Sequence, residues 1–412
     1  MADNQAGGAG TISAGRSWLG FLLVLLSLVV EGFDLQAANM AAPNIVSTFG
    51  ITRADIGPLL SASLFGVLLG AMFLAPLGDR FGRRTIIIGS CLAYGAISLI
   101  AAMASSIIQL VALRFLIGIG IGAVLPNALA LAGEMAPRKL LATATSLIGI
   151  GITFGGTLAG ATAAILFKMG YGWREVFLTG GVLPLLIAAL LWLGLPESPA
   201  FRHGEKRSGG SVLTLLAPNE IARTFAIWIA FALVLMVNYL LTGWIPLIIN
   251  AQGYSESEAA WIATAGHGGG MIGGVIASLA LARWRWPVVS ALSILAALSM
   301  VMLAGAEWGV TALTALIIMQ GAFTVGTQNA LNGSAGATYP AETRALGLGW
   351  ALGVGRIGSV IGPLAGSAAL MLGFSAPREF FFLPIIPLLI AAALAAYLAR
   401  ATKSRSPASV GD

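Results

Sequence analysis

RSWLGFLLVLLSLVVEGFDLQAAN, residues 16–39, is the stretch whose reading decides the fold. Arg16 stands before an uncharged apolar run from Trp18 to Val30, and the acids Glu31 and Asp34 follow, with Gln36 and Asn39 behind them. Read as a helix entering a bilayer near residue 17, it carries Glu31 ~21 Å and Asp34 ~26 Å inward at 1.5 Å per residue, inside a hydrocarbon core ~30 Å thick. Residues three apart share a helix face. A carboxylate at that depth is costly, and one that is retained handles an ion, a proton or a partner charge. One structural arginine on a neighbouring helix would need only one acid, so the second acid points to function.

The rest of the 412-residue chain agrees with a membrane setting. It is 58% hydrophobic and 9% charged, with a mean hydropathy of +0.92, whereas water-soluble domains carry about 25% charged residues. The formal charge of +6 sits in short loops between apolar spans and points to a lipid bilayer, not to nucleic acid. With two histidines and one cysteine, Cys91, the chain offers no internal disulfide, no metal-ligand spacing and no nucleophile–base pair, so no enzyme, metal or cofactor is expected. Residues 1–15 are small and polar, and no cleavable leader is expected.

Twelve spans are expected, at about 17–40, 54–77, 85–104, 107–132, 140–167, 174–195, 221–250, 256–281, 287–305, 309–337, 345–371 and 380–399. The longest polar connection, Pro196 to Asn219, divides them into a six-helix bundle at 1–195, a cytoplasmic loop at 196–219 and a six-helix bundle with a tail at 220–412. Of the 22 lysines and arginines, Arg114 and Arg356 fall inside spans, and Arg53, Lys168, Arg174 and Arg378 fall in the loops opposite the termini. All the others lie on the side of the termini, which the positive-inside rule places in the cytoplasm.

Glycines are spaced by four in span five (Gly151, Gly155, Gly156, Gly160) and span eleven (Gly358, Gly362, Gly366). Such spacing lets helices touch backbone to backbone, whether for rigid packing or for sliding. His267 lies in another small-residue run, AGHGGGMIGG; it is a packing residue or a contact for proton or substrate. Between spans two and three, APLGDRFGRRTIIIG (75–89) carries Arg80, Arg83 and Arg84 as cytoplasmic anchors. Asp79 is not needed for anchoring and reads as a latch that faces a helix N-terminus or an arginine. The matching loop of the second half, LALARWRWP (279–287), keeps arginines but has no acid.

At this point the residues resemble a family. GDRFGRR is similar to the loop signature of the major facilitator superfamily, although Ala75 replaces its first glycine and Gly78 its alanine. Within it, EGFDLQAANMAAP (31–43), the fourth-span stretch 114–137, LPESPAFR (195–202) and 339–366 resemble the aromatic acid:H⁺ symporters, most of all the 3-(3-hydroxyphenyl)propionate transporters, with Glu31 at the place of an aspartate. GITFGGTLAG (151–160) lacks the proline of the superfamily's antiporter motif, which argues against drug export.

The resemblance implies an all-α membrane protein, two pseudo-symmetric six-helix bundles around a central cavity lined by spans one, four, seven and ten. It implies proton-coupled uptake of an aromatic carboxylate across a bacterial cytoplasmic membrane by a chain working as a monomer. Another organic anion or a sugar as substrate, or export, remains the alternative. The resemblance also pairs Arg114 with the acids Glu31 and Asp34 for proton coupling. Arg114 and Arg356 both lie near mid-depth by helical rise, where secondary transporters bind substrate. Arg356 is then the expected grip on the carboxylate, through two parallel hydrogen bonds, unless it serves to hold span eleven to a neighbour. Asn127, Asn238, Tyr239, Gln328 and Asn332 are candidates for a ring hydroxyl, and Phe33, Trp244 and Trp350 for stacking on a ring. Glu134, at the end of span four, is expected to join the Asp79 latch.

Overall fold

The computed structural model describes residues 14–135, 141–198, 214–218, 220–281, 283–340, 343–374 and 376–403. Among the described residues, twelve helical spans are long and apolar enough to cross a membrane, the second and twelfth counted with their adjoining turns as Arg53–Leu74 and Pro377–Thr402. They are α1 Ala14–Phe49, α2 Gly57–Leu69, α3 Arg83–Ala101, α4 Ile107–Gly122 continued by Val124–Met135, α5 Leu141–Lys168, α6 Trp173–Gly194, α7 Ile221–Ala251, α8 Glu256–Leu281, α9 Arg285–Gly305, α10 Val310–Thr338, α11 Arg344–Met371 and α12 Ile385–Lys403. Large side chains such as Leu193, Ile108 and Leu279 stay exposed on the outer surface, as expected of a molecule whose surrounding solvent is lipid.

The departures from the expected spans have local causes. The first helix runs 36 residues, ~54 Å by helical rise, so it projects well beyond the bilayer core. The fourth is broken at Ala123; Pro126, three residues on, has no N–H to return to the preceding turn. The second starts as a 3₁₀ turn at Arg53–Ile56 and ends in a π-helical turn at Gly70–Leu74, just before Pro76. The twelfth is preceded by a 3₁₀ turn at Pro377–Phe382.

Helix pairing repeats between the halves. α1 packs on α5, α2 on α4 and α3 on α6; α7 packs on α11, α8 on α10 and α9 on α12. Glycine sets the closest of these contacts. A Cβ on Gly155 would stand 1.9 Å from the Val29 carbonyl oxygen, and one on Gly358 would stand 1.9 Å from that of Ala232. These are the same contact in the two repeats, and a backbone cannot retreat as a side chain can. The glycines around His267 serve the α8–α10 contact in the same way, with Gly273 against the Ala322 carbonyl.

The halves meet through α5 with α8, α2 with α11 and α1 with α7. Hydrogen bonds across the seam gather toward the end of the molecule opposite the termini. Asn44 donates to Glu256 at 2.8 Å, the Gly57 amide to Ser367 at 3.0 Å, Ser61 to the Val360 carbonyl at 2.8 Å and Ser257 to the Ala164 carbonyl at 2.8 Å. One apolar core crosses the seam there, joining Ile45 and Ala163 to Ile248 and Ala259. Nearer the termini the second half keeps a separate core around Ile227, Val289, Ala351 and Leu398. The halves are therefore fastened together at one end and hold distinct cores at the other.

Candidate functional site

Asp34 and Arg114 meet inside the first half. The Arg114 Nη1 donates to Asp34 Oδ2 at 2.9 Å and to the Asp34 carbonyl at 3.1 Å. The two residues are 1% and 2% exposed. Four helices build this pocket. α1 supplies the acid and α4 the arginine. α3 supplies Ser98, whose hydroxyl lies 3.3 Å from Asp34 Oδ1 and 3.2 Å from the Phe177 carbonyl. α6 supplies the Phe177 ring under the guanidinium, 5.6 Å away, together with Gly180, where a Cβ would stand 3.4 Å from Asp34 Oδ1. A charge-assisted bond with an aromatic face beneath the cation is the pairing that makes two buried charges tolerable in a low dielectric.

Glu31 does not join that pair. One helical turn nearer the termini, it is 2% exposed, its Oε2 has no hydrogen-bond partner, and the cation whose field reaches it is Arg356 of the second half. The expectation that both acids serve Arg114 is corrected here: three residues along a helix turn the side chain by about 300°, so adjacent acids on one face still address different neighbours. Arg356 is half-buried, with its Nη1 3.4 Å from the Tyr239 hydroxyl. Beside Tyr239, Asn238 donates to Gln328 Oε1 at 2.9 Å. Asn332, one turn along α10 from Gln328, keeps a buried Oδ1 without a partner.

Three expected substrate contacts are withdrawn. Asn127 spends both amide protons on backbone, donating to the carbonyls of Ala75 at 3.1 Å and Ala123 at 2.8 Å, and so ties α4 to the end of the second span. Phe33 is buried between α5 and α6 in the first half, with its ring near Gly180. Trp244 donates its indole N–H to the Pro363 carbonyl at 3.0 Å and packs on Phe380. The two rings are consumed by packing, because a large ring on a helix between two others fills the groove it faces. Trp350 stacks on Trp228 and is exposed.

In the loop of residues 75–89, Asp79 is 79% exposed on its side chain and accepts from Arg83 at 3.3 Å. Arg80 lies over the Phe81 ring. The loop is held to its own half by Glu197, which accepts from the Arg84 amide at 3.1 Å, while the Arg84 guanidinium donates to the Trp192 carbonyl. Gly82, at φ +91°, gives the turn and leaves room for Glu197; a Cβ there would stand 2.4 Å from Oε2. Glu134 lies in α4, with its side chain outside the described residues. Glu197, Ser98 and Glu256 carry no signal of depth or spacing in the sequence that marks them, although Glu197 lies within the LPESPAFR motif.

The Major Facilitator Superfamily model matches residues 24–319 and 253–412. This chain belongs to that superfamily. It is a multi-pass transporter and not an enzyme. It is 32% identical to the 4-hydroxybenzoate transporter PcaK of Pseudomonas putida, over 92% of this chain and 90% of that protein. It is 35% identical to the 3-(3-hydroxy-phenyl)propionate transporter of Escherichia coli K12, over 88% and 89%, and 31% identical to the gallate transporter of Pseudomonas putida, over 90% and 89%. Among solved structures, the bacterial homologue of the human lysosomal transporter Spinster superposes with a TM-score of 0.74 at 21% identity, covering 97% of this chain and 100% of that one. The xylose transporter XylE from E. coli gives 0.72 at 16% identity, covering 97% and 99%; the fold is that of superfamily transporters.

Proposed function

We propose that this protein carries a hydroxylated aromatic carboxylate into the bacterial cytoplasm together with a proton, as a monomer, with both termini in the cytoplasm. The observation that carries the reading is the split of the two acids. Asp34 is neutralised within the first half by Arg114, while Glu31 lacks a hydrogen-bond partner for Oε2 and faces the charge of Arg356 across the seam. The relatives named above are transporters of 4-hydroxybenzoate, 3-(3-hydroxyphenyl)propionate and gallate, all aromatic carboxylates bearing ring hydroxyls.

The chemistry follows from charge balance. While Glu31 is ionised, its field offsets that of Arg356. A proton on Glu31 removes the offset, and Arg356 then holds an uncompensated positive charge in a low dielectric, which a substrate carboxylate neutralises in a two-pronged contact. Proton and anion are thereby taken up together, and neither is favoured alone. Asp34 and Arg114 keep α1 and α4 in register and share the proton-coupling role with Glu31. The bodies 1–195 and 220–412 rock about the glycine contacts, with the ties at Asn44–Glu256 and Gly57–Ser367 closing the extracellular end. The loop at 75–89, with Asp79, Arg80, Arg83, Arg84 and Glu134, latches the cytoplasmic end in the opposite state.

The test is uptake into proteoliposomes under an imposed pH gradient, with labelled hydroxyphenylpropionate, hydroxybenzoate, gallate and a sugar. Accumulation of an aromatic acid that collapses with a protonophore is expected. Accumulation independent of the gradient, or of the sugar alone, refutes the reading.

A further inference from the structure

A cavity of about 30 Å³ lies between α7, α8 and α10, with Met40 of α1 at its edge. Five polar residues line it: Asn238, Thr242, His267, Gln320 and Thr324. All but Thr242 are nine-tenths buried or more. Their hydrogen bonds leave capacity facing inward. Thr242 Oγ1 is buried with no partner. His267, 9% exposed, makes no hydrogen bond to the described residues. Gln320 gives one amide proton to Thr324 Oγ1 at 3.0 Å and keeps its carbonyl oxygen. A buried polar group without a partner costs about 1–3 kcal/mol; Thr242 Oγ1 is such a group, and His267 and Gln320 line the same void with further hydrogen-bonding capacity, so the void suits a polar group.

Size limits what that is. A water-sized group needs ~10–15 Å³, and a benzene ring occupied an apolar cavity of about 150 Å³ in a reference case. The void therefore takes one hydroxyl and excludes a ring. Its place is fixed relative to Arg356: Tyr239, which contacts Arg356, stands beside Asn238 and one turn from Thr242 on the same side of α7, ~4.5 Å along the axis. An aromatic acid held at Arg356 and pointing away from the cytoplasmic end brings a ring hydroxyl toward this void.

We propose that the void is the ring-hydroxyl subsite. The phenolic O–H donates to a His267 ring nitrogen or the Gln320 carbonyl oxygen, and its oxygen accepts from Thr242. The reading rests on the aromatic carboxylate function proposed above, and it moves hydroxyl recognition away from Gln328, whose carbonyl oxygen is engaged by Asn238. A site whose buried donors and acceptors are matched by a hydroxyl discriminates against the analogue that lacks it, because those groups are then left unpaired.

The experiment uses the full chain in proteoliposomes and measures counterflow competition by two matched pairs, 3-(3-hydroxyphenyl)propionate against 3-phenylpropionate and 4-hydroxybenzoate against benzoate. The wild type is expected to favour the hydroxylated member of at least one pair by tenfold or more. His267→Leu and Thr242→Val should each reduce that ratio several-fold by weakening the hydroxylated acid, with the unsubstituted acid changing less than twofold. Arg356→Lys should weaken both members alike. Thr242→Val is close in shape and keeps the test open if His267→Leu does not fold. Equal loss for both members in the Thr242 and His267 variants, or an unchanged ratio, overturns the subsite. A wild type that takes the acids without discrimination also overturns it, whereas a wild type that takes no aromatic acid fails the function itself and is recognised before any variant is made.

Discussion

Asp34→Asn keeps the shape of the side chain and removes its charge. Arg114 then stays 2% exposed and keeps only neutral acceptors, the side-chain amide oxygen at position 34 and the backbone carbonyl of that residue at 3.1 Å, with no negative charge beside it; its Nε has no partner even in the native pair. Removing one member of a buried pair costs about 3–5 kcal/mol, because the other charge stays desolvated and unbalanced. At about 2 °C per kcal/mol for a body of this size, the apparent Tm in detergent falls by roughly 6–10 °C. Adding Arg114→Met removes the stranded charge, and most of that loss should return, since replacing a buried pair by apolar groups is often neutral or better. Transport separates the stability role from the coupling role: neither the single nor the double variant should accumulate substrate under a pH gradient. A single variant with unchanged Tm would show that the pair is not desolvated as the structure has it. Accumulation equal to wild type in either variant would remove Asp34 and Arg114 from coupling.

Arg356→Lys replaces a planar fork by a point charge and should weaken acidic substrates markedly, with Arg356→Ala weaker still; an amide analogue should lose much less, since it forfeits a neutral hydrogen bond of about 1 kcal/mol, and equal losses for acid and amide in a binding assay would make Arg356 a helix tie. Asp79→Asn breaks an ion pair whose arginine is 8% and whose acid is 79% exposed; with the acid screened by water it is worth about 0–1 kcal/mol, so Tm should hold while transport falls and substrate binding persists; loss of binding with an intact fold would refute the latch. Glu256→Ala removes the charge-assisted bond from Asn44, worth about 1.5–3 kcal/mol, and should shift the population roughly 10- to 150-fold toward the state open at the extracellular end. In a Cys91→Ser background, a single cysteine at Thr264 should then react faster with a water-soluble maleimide, and an unchanged labelling rate would show that Glu256 does not hold that end shut.

Membrane class, span number and the glycine seams of α5 and α11 were legible in the sequence. Each depends on quantities that run along the chain: apolar length against bilayer thickness, rise per residue, and spacing by four. The family was legible for the same reason, through contiguous motifs. What faced what was not legible. That Glu31 parts from the Asp34–Arg114 pair and faces Arg356, that Asn127, Phe33 and Trp244 are spent on packing, and that Thr242, His267 and Gln320 close around one void all depend on helix rotation and on which helices are neighbours. Linear spacing leaves these free, because a bilayer-spanning helix apolar all round carries no stripe that says which side turns inward. Only the packing of α1 against α4, α5 and α6, set where glycine permits backbone contact, turned Asp34 toward one arginine and left Glu31 to the other.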